Sequence, residues 1–143
     1  MWYIQQQILA AATEHEIIVS PLEAWQVVEI RQSLLHLYSP LLDEWPKWIW
    51  EHLQFTSTVR DENGWRWLGE FAGEHAAIML FDPRDEVGMV EFSRGIDIAR
   101  VLGECSGFEF YLTSRNYDYL LCFNHHDCVI AAGSAKTWLE LRG

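Results

Sequence analysis

The sequence predicts a single α+β domain over residues 1–143, with N-terminal helices packed on a mainly antiparallel β-sheet and a C-terminal helix. Two observations carry this prediction. Before residue 54, apolar residues recur at helical spacing, and beyond it short apolar runs alternate with turn signals. Helices and strands segregated along a chain are typical of the α+β class, and 143 residues suit one domain.

Three helices are predicted in the N-terminal part. The first covers residues 4–12, where isoleucine, leucine and alanine form an apolar stripe. The second is expected to start at Ser20 and Pro21, because serine can cap a helix and proline suits its first position. Glu23 would complete a capping box there. A third, shorter helix is predicted over residues 46–52.

The middle of the chain contains candidate strands. An Asp-Glu-Asn-Gly turn follows residues 55–60 and precedes the alternating residues 65–67, so a hairpin is predicted there. Residues 76–81 and 87–92 are predicted strands joined by a charged loop. Residues 94–105 have helical spacing.

The last third has the clearest strand pattern. Residues 108–112 alternate apolar and polar side chains, which predicts a half-buried strand. Residues 119–123 and 128–132 are continuous apolar runs, which predicts a hairpin buried on both faces with a polar tip at 124–127. A final helix follows Gly133, and the helices are expected to cover one face of the sheet.

The charge balance restricts the classes of partner. The chain contains 21 Asp and Glu residues but only 10 Lys and Arg residues, so its net charge is −11. Only two of the cationic residues are lysines. Such a chain repels nucleic acid and anionic membranes and attracts basic proteins. No segment approaches the roughly 20 apolar residues of a membrane helix, and the N-terminus lacks signal-peptide features, so the expected location is cytoplasmic. No cofactor or metal is predicted.

One candidate chemical site is the polar tip Asn124, His125, His126 and Asp127. Histidine and aspartate can bind metal or transfer protons, which leaves a small hydrolase as the alternative function. Adjacent residues on a turn diverge, however, and Asn and Asp are ordinary turn formers, so a structural turn is favoured. The three cysteines lie in apolar runs and are predicted to be buried free thiols.

The binding hypothesis concentrates on acidic loops and tryptophans. Aromatic anchors rimmed by charge are typical of binding hot spots. The predicted contact surface therefore consists of Asp61, Glu62, Trp65, Trp67, Asp82, Asp85 and Glu86. Three other tryptophans, Trp25, Trp48 and Trp138, are expected to fill the core. An oligomer held together by exposed tryptophans is a further alternative.

The stretch from Gly107 to Gly133, GFEFYLTSRNYDYLLCFNHHDCVIAAG, resembles the C-terminal hairpin region of small bacterial domains. Such domains are similar in size and composition to immunity proteins of polymorphic toxin and contact-dependent growth inhibition systems. The resemblance implies a monomeric cytoplasmic protein, not an enzyme, that neutralises a cognate toxin in a 1:1 complex. Many such toxins are basic nucleases, which would match the acidic charge. The resemblance implies binding and supplies no catalytic residue.

Overall fold

The computed structural model describes residues 3–142, which contain a seven-stranded, wholly antiparallel sheet flanked by helices. The helices are α1 (Ile4–Glu14), α2 (Ala24–Tyr38), α3 (Leu68–Ala72), α4 (Ile98–Leu102) and α5 (Ala135–Arg142). The strands are β1 (Val19–Pro21), β2 (Ser57–Arg60), β3 (Ala77–Leu80), β4 (Val90–Phe92), β5 (Phe110–Thr113), β6 (Tyr119–Phe123) and β7 (Cys128–Gly133). Their spatial order is β1-β4-β3-β5-β6-β7-β2. The predicted α+β class with a C-terminal helix is confirmed.

Helices cover both faces of the sheet, so the expectation of a single covered face was wrong. One core cluster joins α1, α3, α4 and α5 to one face, and a second joins α2 and the short turn Ile49–Glu51 to the other. The reason lies in the central strands, in which every residue of β3, β5 and β6 is buried. Strands that are apolar on both faces need a cover on each side. Within residues 3–142, no helix is both long enough and apolar enough to cross a membrane.

The strand predicted as half-buried, β5, is also enclosed on both faces. Its alternating polar residues point into the second cluster rather than into water, and Tyr111 is fully buried there. Thr113 is buried as well, and its hydroxyl donates to the Tyr119 carbonyl at 2.7 Å. The alternation therefore reflects two different buried faces, since a hydrogen-bonded threonine is compatible with the core.

The N-terminal region differs from its prediction in two places. Ser20 and Pro21 belong to the edge strand β1 and pair with β4, since proline is tolerated at a sheet edge. Helix α2 begins later, with Glu23 as its N-cap in a reciprocal capping box with Gln26. The helix predicted over residues 46–52 is a single 3₁₀ turn, because Trp48 adopts a left-handed conformation (φ 53°) that ends helical geometry on its N-terminal side.

Residues 65–67 do not form the predicted hairpin strand. The chain turns at Gly64 into a 3₁₀ helix (Gly64–Arg66) that leads into α3, and β2 pairs with β7 instead. A Cβ at Gly64 would lie 2.5 Å from Val129, so the turn packs directly on β7. The hairpins β3–β4 and β6–β7 and the final helix are confirmed, whereas residues 94–105 form only a 3₁₀ turn and the short α4.

Strand direction collects four loops at one end of the sheet, which we call the loop end. Strands β1, β2, β3 and β6 run toward this end, and β4, β5 and β7 run away from it. The loop end therefore contains residues 61–63, 81–89 and 104–109, together with the hairpin tip at 124–127. These segments are distant in sequence but meet because of the sheet topology.

The close approach of α3 to the 3₁₀ turn at residues 95–97 gives a stability prediction. A Cβ at Gly69 would lie 2.2 Å from the Gly95 carbonyl oxygen, which belongs to the backbone and cannot rotate away. The substitution Gly69→Ala should lower the free energy of unfolding by about 1–3 kcal/mol, the usual range for overpacking. Urea denaturation measures the change.

The matched control is Gly107→Ala, because a Cβ at Gly107 would meet no atom within 4 Å. Its free energy of unfolding should stay within about 0.5 kcal/mol of the parent protein. Equal stability of both variants would contradict the tight packing of α3.

Candidate binding groove

An open groove of about 980 Å³ lies at the loop end. Its walls come from the start of α1, the β3–β4 loop, residues 106–109 and the hairpin tip. The groove combines aromatic rings with charged groups, which are Trp48, Phe108, His125, Arg84, Asp85, Glu86 and Glu109. Concave sites with a few convergent polar groups are the usual places for ligand recognition.

Asp82 organises the floor beneath this groove. It is 1% exposed, and its Oδ1 accepts hydrogen bonds from the backbone N–H and the Nε of Arg84, each at 2.9 Å. Its Oδ2 accepts from the Arg84 Nη2 at 2.9 Å and from the Trp48 backbone N–H at 3.2 Å. Burial alone would raise the pKa of Asp82, but these hydrogen bonds from Arg84 and Trp48 outweigh it and lower the pKa.

Asp82 was predicted as a contact residue, but its carboxylate is enclosed and does not reach the surface. An aspartate that accepts the N–H two residues ahead forms an Asx turn, which stabilises the loop that contains it. Asp82 acts on the surface indirectly, by fixing the guanidinium of Arg84 and the backbone of Trp48.

Trp48 is the central aromatic side chain of the groove. Its left-handed backbone costs a non-glycine residue free energy, and the hydrogen bond to Asp82 helps to hold it. The ring lies 5.2 Å from the ring of His125 and 6.1 Å from that of Trp50, measured between centroids. Lys47 Nζ lies 4.5 Å from the Trp48 centroid. Trp48 is therefore a half-buried groove residue, and its prediction as core was wrong.

The other two tryptophans predicted as core have different environments. Trp138 is half-buried against the first core cluster, in contact with Phe71. Trp25 is 62% exposed on α2, so its prediction as core was wrong. The helical spacing is present, but Trp25 follows the N-cap by two residues and belongs to neither core cluster.

His125 is oriented by a buried carboxylate. The His125 backbone N–H donates to Glu109 Oε2 at 2.8 Å, and the ring Nδ1 contacts the same oxygen. Glu109 is 8% exposed, so this contact fixes the imidazole and leaves Nε2 as the ring nitrogen available to the groove. The sequence alternation marked Glu109 as a solvent-facing position and gave no sign of this pairing.

The rest of the hairpin tip is a structural turn. Asn124 is buried, and its Oδ1 accepts the backbone N–H groups of His126 and Cys128 at 2.9 and 3.1 Å. Asp127 adopts positive φ (60°), a conformation that aspartate tolerates. Among the described residues, no group of three or more His, Cys, Asp or Glu side chains is arranged to hold a metal ion.

Asp85 and Glu86 line the groove as separate acidic groups. Partial burial, followed by the negative charges of Asp82 and Glu109, raises the pKa of Asp85. Glu86 is held more firmly, since it accepts the backbone N–H groups of Gln5 and Gly88, each at 3.0 Å. Its charge is favourable at the N-terminus of α1.

The predicted residues Asp61 and Glu62 lie beside the hairpin tip. The Asp61 backbone N–H donates to the Asp127 carbonyl at 2.8 Å, and Asp61 Oδ1 accepts the Asn63 N–H at 2.8 Å. Glu62 is exposed at the turn. This contact places the acidic turn at the same end of the sheet as the groove.

Trp65 and Trp67 do not lie on a hairpin strand as predicted, and their environments differ. Trp65 lines a smaller apolar pocket of about 280 Å³, which also contains Phe110 and Phe123 and shares residues 106–108 with the groove. Trp67 lies under the guanidinium of Arg142, 4.5 Å from the ring centroid, and lines neither cavity.

All three cysteines are free thiols. Cys122 is completely buried, and burial raises the pKa of its thiol well above the ordinary value. Cys105 and Cys128 are half-buried rather than buried as predicted. A raised thiol pKa disfavours the nucleophilic thiolate, so the position of Cys122 is that of a core residue.

The hydrogen bonds of Asp82 predict a pH-dependent stability. Asp82→Asn should lower the free energy of unfolding at pH 7 by about 1–3 kcal/mol, because charge-assisted bonds to Arg84 are lost. The folded pKa lies below the unfolded value of about 3.9, so this stabilisation is present above that pH and disappears as pH falls through the folded pKa. Urea denaturation at pH 7 and at decreasing pH tests both parts.

The control variant is Asp85→Asn, for which the pKa shift has the opposite sign. The pKa of Asp85 is raised, so its charged form disfavours the folded state, and Asp85→Asn should leave stability at pH 7 unchanged or slightly higher. A loss in Asp82→Asn that persists unchanged at acidic pH would contradict the role of the charged carboxylate.

Comparisons with known proteins leave the groove as the main basis for assigning a function. No protein-family model, curated protein or solved structure matches the chain.

Proposed function

We propose that this chain is a protein-binding module that recognises a basic protein through its loop end. In line with the resemblance of residues 107–133, the proposed role is that of a cytoplasmic immunity protein that neutralises a cognate nuclease-type toxin in a 1:1 complex. The observation that carries the proposal is a groove in which a constrained tryptophan, Trp48, lies beside several carboxylates.

The charge distribution supports this proposal. Three carboxylates and one guanidinium line the groove, and Asp82 already neutralises that guanidinium, which belongs to Arg84. Among residues 3–142, Glu62, Asp85 and Asp127 take part in no ion pair within 4.0 Å. With a net charge of −11, these groups would speed encounter with a cationic protein.

The constrained aromatic groups support the same conclusion. The Trp48 backbone is held by its hydrogen bond to Asp82, the Trp48 ring packs against those of His125 and Trp50, and the His125 ring is held by a buried carboxylate. Both rings are therefore constrained before any target arrives. Fixed anchors lose little conformational entropy on binding, and tryptophan is enriched among interface hot spots. The proposed mechanism is electrostatic attraction followed by burial of these rings.

One observation favours the alternative, a small hydrolase. A histidine oriented by a buried glutamate is the arrangement of a general base, and His125 Nε2 is available to the groove. A hydrolase that works through a covalent intermediate also needs a side-chain nucleophile, and Ser106 lines the same groove. Its Oγ, however, is hydrogen-bonded to Gln7 Oε1 at 3.0 Å, and no hydrogen bond joins Ser106 to His125 among the described residues. Binding is therefore the better-supported function.

The proposal predicts capture of a basic protein and salt-dependent association. Tagged protein should recover a basic target from its native lysate, and stopped-flow mixing with that target should show an association rate that falls steeply with added salt. The triple variant Asp61→Asn, Glu62→Gln, Asp85→Asn should associate at least about threefold more slowly at low salt, and this difference should shrink at high salt.

The charge control for that experiment is the triple variant Glu29→Gln, Glu74→Gln, Glu140→Gln, which removes three exposed carboxylates that lie outside the loop end. Its association rate should stay close to that of the parent protein. An association rate insensitive to salt, or equally slow association of the control variant, would overturn the proposed electrostatic mechanism. Hydrolysis of an ester or phosphodiester substrate that His125→Ala abolishes would favour the alternative.

A further inference from the structure

We propose that the groove and the smaller apolar pocket form one two-part site, which takes an arginine or lysine side chain together with an adjacent apolar side chain of the target. This inference rests on the proposed binding function and specifies the chemistry of the recognised segment. Two neighbouring cavities of different polarity, joined by a common wall, are what such a segment requires.

The common wall consists of residues 106–108, which line both cavities. Gly107 lies in the middle of this wall, and a Cβ built on it would meet no atom within 4 Å. The space above Gly107 is therefore open, so a peptide backbone can cross the wall at this residue while its neighbouring side chains enter the two cavities. Nothing in the surrounding packing requires glycine at this position.

The groove provides the cation-binding part. Its carboxylates outnumber its guanidinium three to one, and the Arg84 guanidinium is held in a bidentate pair with Asp82. The raised pKa of Asp85, caused by partial burial and by the charges of Asp82 and Glu109, is consistent with negative potential at this point. A bound cation would relieve that repulsion.

The aromatic lining favours the same occupant. Lys47 Nζ and the Arg84 guanidinium lie 4.5 and 5.8 Å from the Trp48 centroid, so an incoming cation would take the place of the exposed Lys47 side chain against the ring. Cations within about 6 Å of an aromatic centroid are attracted by its negative face. Trp48 and His125 therefore provide rings against which an incoming guanidinium can stack.

The smaller pocket provides the apolar part. Trp65, Leu102, Phe110 and Phe123 line it, and its volume of about 280 Å³ lies below the roughly 300–1,000 Å³ typical of sites for whole small molecules. A cavity of this size and lining suits one aliphatic or aromatic side chain. Because the shared wall separates this pocket from the acidic groove, the apolar residue of the target would be a neighbour of the cationic one.

The test uses the indole N–H signals of the eight tryptophans in a ¹H–¹⁵N correlation spectrum. The probes are acetylated tetrapeptide amides, Gly-Leu-Arg-Gly and Gly-Arg-Leu-Gly, in which both orders of the two side chains are represented. At least one should shift the signals of Trp48 and Trp65 saturably, while that of Trp25 on α2 stays in place. The matched peptides replace arginine by glutamate or leucine by serine and should bind at least about tenfold more weakly.

Two variants test the groove and the shared wall of the site. Asp85→Asn removes a charge from the groove and should weaken binding of the arginine-containing peptides at least about threefold. It should leave nearly unchanged the factor by which replacing leucine with serine weakens binding. Gly107→Phe fills the space above the shared wall and should abolish the shifts at both tryptophans, whereas Gly107→Ala should preserve them. Thermal unfolding of each variant confirms that the fold is retained.

The outcomes distinguish this inference from the proposed function. If the basic target is captured but the peptides shift no indole signal, and Gly107→Phe still binds the target, the two-part site is wrong while the binding function stands. Preferential binding of the glutamate peptide would show that Arg84 recognises an acidic segment and would overturn the inference. Absence of both a captured target and peptide binding would remove the inference together with the proposed function.

Discussion

The burial of β5 and β6 on both faces is the constraint on which the rest of the structure depends. Every residue of these central strands is enclosed, so the protein needs a layer on each side of the sheet. Helices α1, α3, α4 and α5 form one layer, and α2 forms the other. Because α2 alone covers the second face only in part, the segment containing Trp45 and Trp50 packs beside it. The groove is formed where this segment reaches the loop end.

Asp82 connects this core arrangement to the surface. It follows the fully buried Phe81 at the end of β3, and its four hydrogen bonds reach the β3–β4 loop and the backbone of Trp48. A buried carboxylate with satisfied hydrogen-bonding groups is stable in the core. The backbone of Trp48 is consequently tied to the end of a central strand.

Sequence patterns predicted the parts of the fold that depend on local chemistry. The hairpin β6–β7, with its tip at 124–127, was predictable because continuous apolar runs flank residues that form turns. Ser20 and Pro21 were misassigned because serine and proline suit a helix start as well as an edge strand, and only the pairing with β4 distinguishes the two. Periodicity contains no information about such long-range pairing.

The site was predicted in part for a similar physical reason. Acidic loop residues such as Asp85 and Glu86 were recognisable as candidates, since charge concentrates in loops. The role of Glu109 was missed because alternation along a strand normally marks a polar residue as solvent-facing, whereas this glutamate is buried and contacts His125. The cluster of tryptophans at 45, 48 and 50 was the available signal for the groove, but core packing is the commoner role of tryptophan.

The strand order has a consequence for synthesis of the protein on the ribosome. The first two strands along the chain, β1 and β2, occupy opposite outer edges of the sheet and pair only with β4 and β7. Residues 3–60 therefore contain no strand pair of their own. Strand β2 can form its backbone hydrogen bonds only after residues 128–131 of β7 have been synthesised. Contacts of such sequence separation form late, because closing long loops costs entropy first. During synthesis, the apolar faces of α1 and α2 therefore remain uncovered until the later strands on which they pack have emerged.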